Sequence, residues 1–249
     1  MKSDALASGD VSSPLPVVDT GQPEIVSPGP MPDRQSHQRL RITEVFHSIQ
    51  GESDAIGWPT VFIRLTGCPL RCVYCDTTYS FHGGEWRDID ALMAETASHG
   101  ARHVCVTGGE PLAQKRCLIL LERLCDAGYE VSLETSGALD VSRVDARARK
   151  VLDLKTPASG EVGRNRWENI AHLLPHDQVK FVLCDRGDYD WAVTQLHVHG
   201  LSDRCQVLFS PSFDQLPARE LAEWMLADRL PVRLQMQLHK VLWGNERGK

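Results

Sequence analysis

The strongest constraint on the fold is an alternation of short apolar runs with longer helical stretches. "TVFIRL" (60–65), "HVCVT" (103–107), "EVSLET" (130–135), "KVLDLK" (150–155), "QVKFVL" (178–183) and "CQVLFS" (205–210) are rich in aliphatic and β-branched residues and read as strands. "DIDALMAETASH" (88–99), "CLILLERLCDAG" (117–128), "WENIAHLL" (167–174), "DYDWAVTQLHVHG" (188–200) and "ARELAEWMLAD" (218–228) read as helices. Near-continuous apolar strands separated by helices indicate a parallel sheet covered by helices and joined by right-handed crossovers. About six strands exceed a small ferredoxin-like unit and fall short of a closed eight-stranded barrel. The expectation is an α/β fold, an open partial (β/α) barrel, with ligands at the C-terminal ends of its strands.

Residues 1–38 have another texture. Pro, Gly, Ser and acidic residues dominate without a sustained period, and such a segment buries too little apolar surface to offset its ordering entropy. A disordered tail is expected there, with the catalytic domain at 39–249. A net charge of −6 without a long basic run argues against direct nucleic-acid binding through phosphates. No apolar run approaches the roughly 18 residues of a membrane span, and no charged-then-apolar leader opens the chain. Eight cysteines spread over 249 residues do not make a disulfide framework, so a reducing cytoplasm is expected.

Four of the expected strands end in polar or glycine-rich signatures: Cys68 after the first, "TGGEP" (107–111) after the second, "ETSG" (134–137) after the third and "LKTP" (154–157) after the fourth. One shared site at the mouth of the sheet follows. "TGCPLRCVYCDTTYSF" (66–81) carries Cys68, Cys72 and Cys75 at C-x3-C-x2-C spacing. A closed zinc site wants four ligands, and the nearest fourth candidate is His82. Three thiolates on one short loop can instead hold three irons of a [4Fe–4S] cluster and leave the fourth iron open to a small ligand. The other five cysteines read as core thiols.

The cysteine spacing, with the aromatic Tyr74 before the last cysteine, resembles the radical S-adenosylmethionine (SAM) superfamily. The resemblance implies a full or partial (β/α) barrel with the cluster at its mouth, SAM bound through the open iron, and cleavage of SAM to a 5′-deoxyadenosyl radical. It implies that Gly108, Gly109 and Glu110 receive the SAM amino group. Tyr74, Cys75 and Asp76 would lie beside SAM, with Ser136 and Lys155 as contacts to its carboxylate or ribose. An ordinary tight turn is the plain alternative for TGGEP, and a local turn or a surface pair for Ser136 and Lys155.

Within that superfamily the stretch Gln50-Gly51-Glu52, then Gly57, Pro59, Phe62, Arg64, Gly67-Cys68, Cys72 and Cys75-Asp76-Thr77 resembles the 7-carboxy-7-deazaguanine synthase family. The match continues through "TGGEP", "LETSG" and "QLHKVLWG" (237–244). It implies a SAM- and Mg²⁺-dependent ring contraction of 6-carboxy-5,6,7,8-tetrahydropterin with loss of ammonia, a step toward queuosine and hence tRNA modification. It also implies a homodimer and a flavodoxin- or ferredoxin-type reductant. Arg64, a cation inside an apolar strand, must be paired. Glu44 or Glu52 would make a structural salt bridge, while the family pattern points to capture of the substrate carboxylate by the guanidinium fork. By the same resemblance Thr77 binds Mg²⁺, rather than only capping a helix. Ile49, Gln50, Gly51, Glu52, Thr107 and His239 would contact the pterin. No catalytic residue beyond such positioning groups is expected. Two other readings remain: another short radical SAM enzyme such as a glycyl-radical activase, marked by a required protein partner, and a non-enzymatic zinc or iron–sulfur scaffold, marked by the absence of SAM binding.

Overall fold

The computed structural model describes residues 38–249. The expected N-terminal tail therefore lies outside the described residues, apart from Gln38. Period-two alternation organises the sheet. In β2 (Pro59–Leu65), Val61, Ile63 and Leu65 enter the hydrophobic core while Phe62 and Arg64 face a central cavity. The same division holds in β4 (His103–Gly108), β5 (Glu130–Thr135), β6 (Arg149–Leu154) and β7 (Gln178–Leu183). In β7 all six residues are buried, with Val179, Phe181 and Leu183 in the core and Lys180 and Val182 on the cavity wall. Each such apolar side chain contributes about 1.5–3 kcal/mol on burial.

With β1 (Arg39–Ile49), β3 (Glu85–Asp88), β8 (Gln206–Pro211) and β9 (Arg233–Leu234), the described residues form one nine-stranded sheet. Its order is β3-β1-β2-β4-β5-β6-β7-β8-β9. The run from β2 to β9 is parallel, and β1 pairs antiparallel with both β2 and β3. All six expected strands are present, and the sheet is open, as expected. It is wider than expected because β1, β3 and β9 extend the edges. β1 alternates cleanly only over its first four residues, after which its register shifts between Ile42 and Glu44. A bulge of this kind breaks the period that sequence reading relies on.

Four of the expected helices stand: α1 (Ile89–Ser98), α2 (Cys117–Asp126), α3 (Arg186–Val198) and α4 (Ala218–Asp228). The stretch 167–174 is instead a 3-10 segment, Trp167–His172, that turns extended at Leu173. Pro175 disfavours helical backbone at Leu174, and the Asp177 carboxylate takes the Leu174 N–H at 2.7 Å. A short α5 (Leu238–Trp243) was not anticipated. Among the described residues no helix is long and apolar enough to cross a membrane.

Candidate active site

The cavity enclosed by the sheet has a volume of about 400 Å³. The β1–β2 connection lies at the N-terminal ends of the parallel strands. Gln50 pairs its backbone N–H with Trp58 O (2.9 Å) and its carbonyl with the Gly57 N–H (2.8 Å), closing that loop. Asp54 holds it to the starts of β6 and β7 through Arg149 (2.6 Å) and the Gln178 side chain (3.2 Å). The C-terminal segment clasps it as well: Leu238 N–H donates to Gly51 O (3.0 Å), and a Cβ at Gly51 would collide with the His239 ring. Gly51 is therefore a close-approach glycine.

At the other end of the strands lies the three-cysteine loop. Cys68, Cys72 and Cys75 all line the cavity. The TGGEP turn packs directly on this loop. Glu110 N–H donates to Gly67 O (2.8 Å), and a Cβ on Gly109 would strike Gly67 O and Cys68 Cβ. Burial pushes the Cys72 thiol up to about 11, and Cys68 is raised for the same reason. Among the described residues no set of three or more His, Cys, Asp or Glu is gathered tightly enough to hold a single metal ion. Three thiolates that each bind a separate iron need no common point, so the loop suits a [4Fe–4S] cluster better than zinc. His82 is exposed. The Tyr74 hydroxyl is buried without a hydrogen-bond partner, and its ring lies 5.7 Å from Lys155 Nζ. An orphaned buried hydroxyl on the wall beside the cysteines fits a polar cofactor there.

Arg64 donates from Nε to Glu44 Oε1 at 2.7 Å, and Tyr79 OH reaches the same oxygen at 2.8 Å. The structural salt bridge considered from sequence therefore exists, with Glu44 rather than Glu52. It uses only Nε: among the described residues the terminal guanidinium nitrogens have no protein hydrogen bond, and Arg64 lines the cavity. The stacked pair Phe46–Phe62 (4.8 Å between centroids) flanks it. Thr77 precedes a 3-10 turn and lines the cavity; its side chain makes no cap bond, and its hydroxyl lies 3.7 Å from Cys75 Sγ, in hydrogen-bond contact with that thiol. Thr107 Oγ1 donates to Glu134 Oε2 at 3.4 Å. Asp76 pairs with Lys240 at 3.2 Å and Lys155 with Asp153 at 3.0 Å.

All but one of the expected site residues line this single cavity: Ile49, Gln50, Gly51, Glu52, Arg64, Cys68, Cys72, Tyr74, Cys75, Asp76, Thr77, Thr107, Gly108, Gly109, Ser136, Lys155 and His239. The exception is Glu110. It is 0 % exposed, and its carboxylate accepts from Leu112 N–H (3.0 Å), Thr135 Oγ1 (2.9 Å), Ser136 N–H (2.8 Å) and Ser136 Oγ (2.5 Å). Glu110 stitches the end of β4 to the end of β5 instead of facing the cavity.

Sequence reasoning passed over Glu134, Asp153, Lys180, Gln237 and Lys240, all on the cavity wall. The first three were legible: each is a charge at a period-two position in an apolar strand, the signal that singled out Arg64. Lys180 Nζ lies 2.6 Å from Glu52 Oε2 and 3.5 Å from Asp153 Oδ2. Burial opposes ionisation of Glu52, yet Lys180 and His239 overcome it and hold Glu52 down at about 2. Burial raises Glu134, although Lys180 pulls the other way. It also lowers His239, keeping the ring neutral near pH 7. Because the folded Glu52 ionises below its unfolded value, its contribution is full above about pH 4.5 and fades as pH falls toward 2, on the order of 3 kcal/mol. The stability gap between the native chain and Glu52→Gln, read from urea unfolding, is expected to narrow markedly between about pH 6 and pH 3. A gap independent of pH would show that Glu52 is not ionised in the fold.

Comparison with known proteins agrees with this geometry. The radical SAM superfamily pattern matches residues 62–157. A 7-carboxy-7-deazaguanine synthase of Chlorobaculum tepidum is 46 % identical over 208 residues, covering 82 % of this chain and 94 % of that protein. One of Koribacter versatilis is 42 % identical over 222 residues, covering 83 % and 98 %. The crystal structure of QueE from Escherichia coli superposes with a TM-score of 0.65 at 26 % identity, covering 82 % of this chain and 96 % of that one. The three-cysteine loop, the cavity beneath it and these relatives lead to one conclusion: the chain belongs to the 7-carboxy-7-deazaguanine synthase family of radical SAM enzymes.

Proposed function

We propose that this chain converts 6-carboxy-5,6,7,8-tetrahydropterin to 7-carboxy-7-deazaguanine and ammonia, on the route to queuosine and related 7-deazapurines. Product and ammonia together contain every atom of the substrate, so the ring contraction needs no net oxidant. The observation that carries this reading is that one cavity joins the three-cysteine loop to a buried arginine with unpaired terminal nitrogens. When bound, the [4Fe–4S] cluster and SAM supply the hydrogen-atom transfer that opens the rearrangement. The chain itself binds, orients and excludes water.

In this reading Cys68, Cys72 and Cys75 hold the cluster. Gly108 and Gly109 expose backbone to SAM, with Tyr74, Asp76, Ser136 and Lys155 around it. Arg64 turns its fork to the substrate carboxylate, and Glu44 fixes the direction of that fork. The Thr77 hydroxyl, in contact only with the weak acceptor Cys75 Sγ among the described residues, is a hard oxygen donor that would hold Mg²⁺ beside the substrate carboxylate. Phe46 and Phe62 wall off one side, and Ile49, Gln50, Gly51, Thr107 and His239 frame the heterocycle. The gain comes from holding one C–H toward the cofactor rather than from acid–base work. A flavodoxin- or ferredoxin-type protein supplies the electron, and the working unit is a homodimer.

The test is an anaerobic assay of the reconstituted chain with SAM, Mg²⁺, reductant and carboxytetrahydropterin, with 7-carboxy-7-deazaguanine detected by mass. Arg64→Ala is expected to lower kcat/KM by about 100-fold or more, the loss of two charge-assisted hydrogen bonds. Undiminished turnover in that variant would remove Arg64 from the substrate site. Cleavage of SAM without deazaguanine would keep the superfamily chemistry and reject the substrate.

A further inference from the structure

Arg64 and Glu44 could pair in two ways. A carboxylate beside an arginine frequently takes two of its N–H groups at once, which here would occupy Nε and one terminal nitrogen. The structure shows the single-bond form instead. Arg64 Nε donates to Glu44 Oε1 at 2.7 Å, and among the described residues Glu44 Oε2 accepts no hydrogen bond. The two side chains are only 14 % and 21 % exposed. A second bond between them would be favourable in that setting, so its absence needs a cause.

Tyr79 supplies the cause. Its hydroxyl donates to the same oxygen, Glu44 Oε1, at 2.8 Å. Burial pushes the phenol up to about 12, so the hydroxyl keeps its proton and donates throughout the neutral range. Two donors converging on Oε1 fix the rotation of the carboxylate and leave Oε2 off the fork. The tyrosine is itself held from two sides. It sits on the 3-10 turn Thr78–Ser80, which is tied to the cysteine loop by Gly67 N–H donating to Ser80 O (2.8 Å) and closed by Ser80 Oγ donating to Thr77 O (2.8 Å). On its other side the Arg247 guanidinium lies over the ring, 4.1 Å from the centroid. Arg64 lines the cavity, whereas Tyr79 and Glu44 lie behind its wall.

We propose that Tyr79 is a positioning residue that holds Glu44 to one-bond pairing and so reserves the terminal nitrogens of Arg64 for the substrate carboxylate. This rests on the proposed capture of that carboxylate by Arg64 and deepens it. Without the phenol hydroxyl, the Glu44 carboxylate turns, Oε2 meets a terminal nitrogen, and the internal fork competes with the substrate for the guanidinium. Tyr79 thus acts on binding without touching the ligand.

The experiment compares two ligands, 6-carboxy-5,6,7,8-tetrahydropterin and 5,6,7,8-tetrahydropterin, which lacks the carboxylate. Affinities are measured by anaerobic calorimetry on the holoenzyme with SAM and Mg²⁺, without reductant and hence without turnover. The native chain is expected to prefer the carboxylated ligand by about 100-fold or more, through two charge-assisted hydrogen bonds. In Tyr79→Phe, which keeps the half-buried ring, that preference is expected to fall about tenfold, the share of one such bond. Affinity for the ligand without a carboxylate should change little. Adding Glu44→Gln to Tyr79→Phe is expected to restore the preference, because an amide offers Arg64 a single acceptor and cannot close the fork. A merely structural role predicts equal losses for both ligands and no rescue. That outcome, or an undiminished preference in Tyr79→Phe, overturns the role of Tyr79 and leaves the substrate standing. Equal binding of the two ligands by the native chain overturns carboxylate capture by Arg64, and failure to bind either overturns the substrate; this inference falls with each.

Discussion

Cys72→Ala is expected to give a folded chain that carries no intact [4Fe–4S] cluster and loses activity by far more than a hundredfold. Changes beyond the ligand sphere already cost metal sites about 10–100-fold, and this change deletes a ligand. The loop does not depend on the Cys72 thiol for its shape. Val73 N–H donates to Ser159 O (3.0 Å), Cys75 N–H to Cys72 O (3.2 Å), and Arg71 donates from its backbone to Glu161 (2.6 Å) and from its side chain to Cys68 O (2.8 Å). Far-ultraviolet circular dichroism should therefore match the native chain while iron and sulfide per chain collapse. Cys117→Ala is the contrast, since that thiol is 0 % exposed on α2 within the core. Its cluster should be retained at a modest loss of stability. Full iron and full turnover in Cys72→Ala would place the cluster elsewhere.

Glu110→Ala is expected to lower the thermal midpoint of the cofactor-free chain by about 10 °C. The carboxylate accepts from two backbone N–H groups, of Leu112 and Ser136, and from the hydroxyls of Thr135 and Ser136. Removing it leaves Leu112 N–H, Ser136 N–H and two hydroxyls without their acceptor in a fully buried place. Breaking such a network costs about 3–5 kcal/mol, and about 2–4 °C follows from each kcal/mol in a domain of this size. Glu110→Gln should also destabilise, because its NH₂ would meet donors. A residue that served only to bind SAM would behave otherwise: the cofactor-free midpoint would stay fixed and SAM affinity alone would fall. Calorimetric unfolding without SAM separates the two roles, and an unchanged midpoint would reject the stitch.

The comparison of Glu110 with Arg64 shows where sequence reading succeeds and where it stops. Both are charges at strand ends or interiors, and both carry the family pattern. Arg64 keeps two nitrogens for the cavity because its one hydrogen-bond partner among the described residues, Glu44, engages only Nε. Glu110 turns away because Thr135 and Ser136, 25 and 26 residues on, come alongside in the parallel sheet and saturate it. Nothing local to "TGGEP" encodes that choice.

The sequence alone determined the open, mostly parallel barrel, since apolar runs of strand length separated by helices admit few other arrangements. It also determined the three-cysteine loop and the ring of strand ends around it, because those motifs are contiguous in the chain. Lys180, Glu134 and Asp153 could have been found there too, as charges that alternate with core residues. What only the tertiary structure decided are the pairings between distant segments: β1 and β3 on the sheet edge, Glu52 with Lys180, and Gln237 with Glu52 across 185 residues. Hydrogen-bond polarity belongs to that second class. An amide or a carboxylate carries its donors and acceptors in the sequence, but which of them remains free is fixed only when the fold has assigned partners to the rest.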